Sequence, residues 1–241
     1  MNLQQIQAEL ALLHHRTDIA GGAVELSFIN SFQKSLQRLG FFKGEDTSTT
    51  LRSPKVHSGS GILSLVFSAQ STPITDFRTY IDLVQQTPSY RAGLGIITRE
   101  KAGTLYRSQV PITDTVWDAV CPTKTLIDVY PPYTSTIEYL VGYWTFTLYY
   151  KKWLADLVSG TDSNYLTENG GDIIVMGTYA LVLLSSGEKD EAMTILSATN
   201  TMANQFVDSE YGESGSGKEV LLRDLESILA KVSRAQLGSS S

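Results

Sequence analysis

The stretch from Tyr139 to Thr199 passes once from strand patterning to helix patterning, and that order restricts the fold more than any other part of the chain. It opens with LVGYWTFTLYY, Leu140 to Tyr150. In Trp144-Thr145-Phe146-Thr147-Leu148-Tyr149 the apolar side chains share one face and the threonines take most of the other, the period of a half-buried strand. A turn-rich link, KKWLADLVSGTDSNYLTENGG, leads into DIIVMGTYALVLLSSGEKDEAMTILSAT, which carries two helical patterns. Asp172 is placed to cap the first, Ile173, Met176, Ala180, Leu183 and Leu184 line one side of it, and Gly187 ends it. The second runs from Glu188 to about Val207 with Ala192, Ile195, Leu196, Thr199, Met202, Ala203 and Phe206 on one stripe. So short a connection predicts an antiparallel helical hairpin.

The flanking segments extend this pattern. Leu3, Ile6, Leu10 and Leu13 predict an amphipathic helix over residues 3–15, broken by Gly21-Gly22. Val24, Phe28, Ile29, Phe32, Leu36 and Leu39 form a second stripe, stopped by Gly40. Residues 45–61 are rich in Ser, Thr and Gly and read as a loop. Between 62 and 150 the runs ILSLVFSA, TYIDLVQQ, GLGIITRE, GTLYRSQV, TLIDVYPP and YWTFTLYY read as strands. The expected class is therefore α+β: a helical bundle core from 1–44 and 151–208, with a small β-sandwich or barrel inserted at 62–150. Residues 209–217 (SEYGESGSG) read as a hinge, and 218–236 as a C-terminal docking helix. That last helix carries Leu221, Leu225, Ile228 and Val232 at spacings of 4, 3 and 4, a narrow stripe that needs a partner surface, on this chain or another.

Composition narrows the functional classes. The charged share is 18%, below the roughly 25% of soluble domains, which suits a subunit that buries surface against neighbours. A formal net charge of −6 argues against a chain-wide electrostatic grip on nucleic acid. Cys121 is the single cysteine, so no intrachain disulfide forms. MNLQQIQAEL lacks the basic start and apolar centre of a signal peptide, and the longest apolar run, Ile173 to Leu184, is too short to cross a bilayer. These features predict synthesis in a cytosol and no membrane partner.

Several motifs invite a chemical reading that the residues do not sustain. Gly212-Glu-Ser-Gly-Ser-Gly217-Lys218 matches the start of a phosphate-binding loop, but Glu219 stands where Ser or Thr would meet magnesium. His14 and His15 are adjacent on a helix and point about 100° apart, and His57 has no ligand partner nearby in sequence. Cys121 precedes Pro122 with no positioned base in view. Asp76, Asp82, Asp114, Asp118 and Asp128 are scattered, and their spacing selects no acid/base pair. Lys151-Lys152 could meet a partner or a DNA phosphate, or close a solvated strand end. No cofactor, metal or catalytic residue is expected.

Four further features stand out: Phe28-Ile29-Asn30-Ser31-Phe32 with Leu36 and Arg38; a strand-rich insert with Ile127 to Pro132 (IDVYPP) ahead of a strand ending in two tyrosines; Leu154, Leu157, Asp162, Asn164 and Leu166 in the link; and a helix pair containing Tyr179-Ala180-Leu181 and Lys189-Asp190-Glu191-Ala192. Together they resemble the head-to-tail adaptor, or head-completion, proteins of short-tailed bacteriophages. The resemblance covers most of the chain, and its motifs are packing signatures. It implies a structural virion protein assembled in the host cytoplasm. Such a protein forms a homo-oligomeric ring, usually of twelve copies, between the portal protein and the tail nozzle or hub, around passing double-stranded DNA that it does not read. Leu221, Leu225, Ile228 and Val232 are then expected to meet the portal or a neighbouring subunit, and Tyr143, Trp144, Tyr149 and Tyr150 a subunit or the nozzle. Alternatives are a tail terminator or minor tail protein, a carbohydrate-binding β-sandwich using Trp117, Trp144 and Tyr143, and, more remotely, an aspartate-dependent hydrolase.

Overall fold

The computed structural model describes residues 1–13, 22–54, 60–87, 93–106, 117, 119–134 and 143–211. The chain is mixed α+β and divides into two compact units, Met1–Glu45 with Leu154–Ser241, and Asp46–Trp153.

The first unit is helical: α1 (Leu3–Leu13), α2 (Ala23–Leu39) and, after the β-rich unit (which contributes α3, below), α4 (Tyr165–Asn169), α5 (Gly171–Ser186) and α6 (Lys189–Tyr211). Leu3, Ile6 and Leu10 on α1 and Phe28, Ile29, Phe32 and Leu36 on α2 pack with α5 and α6 in one core. Helix α5 lies at the centre of that core. Ile173, Ile174, Val175, Gly177, Thr178, Ala180, Leu181, Val182 and Leu183 are all buried, so it is apolar nearly all round and not one-sided as its spacing suggested. Gly187 ends α5 in the left-handed region, φ 88°, and its N–H reaches Leu183 and Leu184 carbonyls, a conformation glycine adopts without a Cβ penalty. Asp172 does not cap α5; the N-cap is Gly170, with no side-chain bond, and Asp172 sits in the first turn, where the helix dipole still favours its charge.

The link before α5 contains a helix that the sequence reading missed. Asn164 caps α4, its Oδ1 accepting from the Leu166 and Thr167 N–H groups at 3.1 and 3.2 Å. Thr167 Oγ1 accepts in return from the Asn164 N–H at 2.8 Å, and Asn164 Nδ2 donates to Gln33 Oε1 at 2.8 Å. Asn30 grips the link further upstream, donating to the Leu157 carbonyl at 2.9 Å and accepting from the Leu157 N–H at 2.8 Å. Asp162 accepts from the Val158 and Ser159 N–H groups, both at 2.8 Å, and those bonds hold its carboxyl below the usual aspartate range. Asn164→Ala removes a cap and a tie to α2 together. It is expected to lower stability by about 2 kcal/mol, read as a lower urea midpoint with an unchanged slope.

Among its described residues the second unit holds seven strands and one α-helix: β1 (Asp46–Pro54), β2 (Ser60–Val66), β3 (Phe77–Thr87), β4 (Gly95–Ile96), α3 (Arg99–Tyr106), β5 (Ala119–Pro122), β6 (Leu126–Thr134) and β7 (Tyr143–Lys152). One sheet has the order β1-β7-β3, the other β2-β6-β5-β4. All the pairings are antiparallel except β4 with β5. Leu51, Leu63, Leu65, Leu83, Val120, Ile127, Val129, Trp144, Phe146 and Leu148 form a core to which both sheets contribute.

Four expectations are corrected here. Residues 45–61 are not one loop: 46–54 pair with β7 in an unbroken register, Asp46 opposite Lys151 through Pro54 opposite Tyr143, and Ser60 already opens β2. Side chains alternate along β1, with Asp46, Ser48, Thr50 and Arg52 exposed and Leu51 and Ser53 buried. The strand is held by its ladder and by one large apolar residue, too little for a hydrophobic pattern. The run GTLYRSQV does not open as a strand: its first four residues, 103–106, complete α3, and the other four lie outside the described residues. Lys151 and Lys152 belong to β7, and residues 209–211, read as hinge, complete α6. The remaining hinge residues, the helix at 218–236, His14, His15, His57, Asp114 and Asp118 lie outside the described residues.

Candidate functional site

Strand β7 lies between β1 and β3, so both its edges are hydrogen-bonded to neighbours. Its inner face carries Trp144, Phe146, Leu148 and Tyr150, from 0% to 6% exposed. Trp144 meets Trp117 edge-on at 5.0 Å and 88°. Tyr150 stacks on Phe77 at 5.6 Å and donates its phenol to Asp76 at 3.0 Å; burial first, then Asp76, pushes its pKa up to about 12. Trp144 and Tyr150 are thus core residues of this unit and not contact surface. Tyr143 opens β7 opposite Pro54; its side chain lies outside the described residues.

Tyr149 has the opposite environment. It is 42% exposed and stands across from Ser48 on β1 and Asp82 on β3. Thr147 faces Thr50, and Thr145 faces Arg52. Gln86 Nε2 donates to Thr147 Oγ1 at 3.2 Å, and Ile81 is 45% exposed on β3. Around Tyr149 the outer face of this sheet is therefore a polar surface of hydroxyls with Arg52, Asp82 and Gln86, one that can contact protein through hydrogen bonds and an aromatic ring.

The second sheet carries a polar cluster that no local motif announced. Asp128, 3% exposed, accepts from Arg99 Nη2 at 2.9 Å and from Ser64 Oγ. Cys121 lies opposite Asp128 in the β5–β6 ladder. Burial, then the Asp128 charge, raises the Cys121 thiol pKa and likewise the Tyr130 phenol, so both are held neutral. Contributed by β2, α3 and β6, the cluster has ligands 64, 99 and 128 far apart in sequence, which is why spacing could not find it.

The other sequence candidates fall into structural roles. Asp82 accepts from the Leu83 N–H at 2.8 Å, and Lys151 pairs with Asp46 and is not held out for a phosphate. Trp117 is fully buried, so neither it nor Trp144 offers a stacking face to a sugar, and of the three residues named for the carbohydrate alternative only Tyr143 is left. Among the described residues no group of three His, Cys, Asp or Glu is placed to hold a metal ion. No helix among them is long and apolar enough to cross a membrane. Comparison with known families finds no matching family model, and comparison with curated proteins finds no matching relative.

Proposed function

We propose that this chain is a structural subunit of a tailed-virus neck: a head-to-tail adaptor that assembles as a ring, expected to have twelve copies, between portal and tail nozzle. In this reading the helical unit is the bundle core, the two-sheet unit is the inserted sandwich, and the terminal helix with Leu221, Leu225, Ile228 and Val232 docks on the portal or a neighbour. The ring extends the DNA channel and helps retain the genome. A net charge of −6 per copy lets duplex DNA slide without adhering.

What supports the reading is that the residues carrying the resemblance act together. Asn30, Asp162 and Asn164 hydrogen-bond the link, while Leu154, Leu157 and Leu166 are buried in the helical core. The motif is a coherent piece of architecture. The hydroxyl-rich face around Tyr149 supplies a surface for a subunit or nozzle contact.

Face-on electron micrographs of the purified protein, alone and mixed with portal assemblies, test the reading. A closed ring that caps the portal is expected. Leu225→Asp with Ile228→Asp is expected to abolish capping while leaving the thermal unfolding curve in place. A monomer that never joins portal assemblies and is absent from purified virus particles would sink the proposal.

A further inference from the structure

Helix α6 holds no charged residue between Glu191 and Asp208. One side of it is core: Leu196, Ala203 and Val207 pack in the helical unit, and Ala192 and Thr199 are fully buried. The other side is exposed at Thr194, Ser197, Ala198, Thr201 and Gln205, positions that recur at i, i+3, i+4, i+7 and i+11 and so form one strip about 17 Å long. Met193, 49% exposed, and Met202, 38% exposed, border it. Thr194 Oγ1 already donates to the Asp190 carbonyl at 3.0 Å, and Thr201 Oγ1 to the Ser197 carbonyl at 3.2 Å. Covering either side chain therefore orphans no hydroxyl donor, and its methyl is the group left to bury. The strip also matches itself from both ends. Counted outward from the Ser197–Ala198 peptide, serine answers alanine, Thr194 answers Thr201, and Met193 answers Met202. An unrelated partner makes no such demand, and a parallel copy sets each residue beside itself whatever the sequence. Only an antiparallel copy requires the two halves to agree.

We propose that α6 pairs with α6 of a second copy of this chain, antiparallel about a two-fold axis through the Ser197–Ala198 peptide. Thr194 then lies beside Thr201 of the second copy, and the small residues at the axis let the helices approach to about 8 Å. At each end of the seam Met193 flanks one side and Met202 of the other copy flanks the opposite side, flexible chains that close over a flat strip. A neutral face meets a neutral face, so no ion loses hydration in the seam. Asp190 comes level with Gln205 of the second copy, whose amide can donate to it. It also comes within about one turn of Asp208 of that copy, a like-charge approach that weakens the pair. The strip is short against the roughly 800 Å² per partner of a standard interface, which makes this a transient pairing of free subunits. A two-fold contact closes on itself and cannot propagate round a ring, so it stands apart from the ring contacts, and either can fail without the other.

Disulfide trapping of the full-length protein in a glutathione redox buffer tests the pairing, the native Cys121 being buried. Ala198→Cys lies at the axis and is expected to form a covalent dimer about tenfold faster, or more, than Val158→Cys. Val158 is 76% exposed in the same unit, and its variant sets the collision background. Thr194→Cys and Thr201→Cys, each about 10 Å from its own counterpart, are expected to stay at background alone and to cross-link to each other when mixed. Adding Thr201→Glu to Ala198→Cys is expected to return it to background with the melting curve unmoved, and adding Asp208→Asn to raise its rate about threefold. Ala198→Cys at the background rate, as when another part of the chain or a different protein covers α6, overturns the proposal. So does rapid trapping of Thr194→Cys alone, which marks a parallel pair, and so does indifference to Thr201→Glu.

Discussion

Trp144→Ala is expected to destabilise the β-rich unit by about 4 kcal/mol, a large share of the roughly 5–15 kcal/mol that holds a domain folded. The indole is 2% exposed on the central strand of its sheet, and its loss opens a cavity against Trp117 and strips an edge-to-face contact at 5.0 Å. Tyr149→Ala, five residues along the same strand but on the outer face, is expected to change stability by no more than about 0.5 kcal/mol. A one-residue slip in register would reverse that order, because every side chain would change faces. The measurement is selective. The protein's three tryptophans, at 117, 144 and 153, all fall in the unit Asp46–Trp153, so the fluorescence of Trp117 and Trp153 still reports that unit in the Trp144 variant. A shift of less than 1 kcal/mol in its urea transition would contradict the packing described.

Gly177→Ala is expected to destabilise the helical unit by about 2 kcal/mol net. Two effects oppose each other. Alanine favours a helix over glycine by about 1 kcal/mol. Yet the new Cβ would lie 2.0 Å from Phe32 Cζ and 2.2 Å from Cε2, and Phe32 is fully buried on α2, with no solvent side to yield toward. Overpacking of this kind costs about 3 kcal/mol, so the clash outweighs the propensity gain. The loss should appear in the far-ultraviolet helix signal and leave tryptophan fluorescence unmoved. Combining it with Phe32→Leu is expected to recover part of the loss relative to the sum of the single changes, because both substitutions act on one contact. Full additivity would mean that Phe32 does not fill the space over Gly177.

Legibility in the sequence followed how each element is held. Strand β7 could be read because its ladder position puts large side chains on one face only, so 144, 146 and 148 alternate cleanly with threonine. The α5–α6 hairpin could be read because Gly187 marks the only sharp turn it needs. Strand β1 could not, since Ser, Thr and Asp give no hydrophobic period and its order comes from backbone bonds to β7. Helix α3 was hidden for a related reason: it buries only Ala102, and a single buried residue sets no period. Leucines 221 and 225 belong to a segment outside the described residues, so their expected docking role rests on spacing alone. The Asp128 cluster was illegible because its members meet only after β2, β6 and α3 come together.

The pairing of Asp46 with Lys151 places the chain's entry into the β-rich unit directly beside its exit, about 5 Å away in a sheet. To the helices upstream and downstream, everything from 46 to 153 thus behaves like one tight bend, and the entropy of closing so long a detour is settled inside the detour itself. The insert behaves as a cassette: its loops and outer faces are free to diversify toward new neighbours, provided the first and last strands keep zipping together.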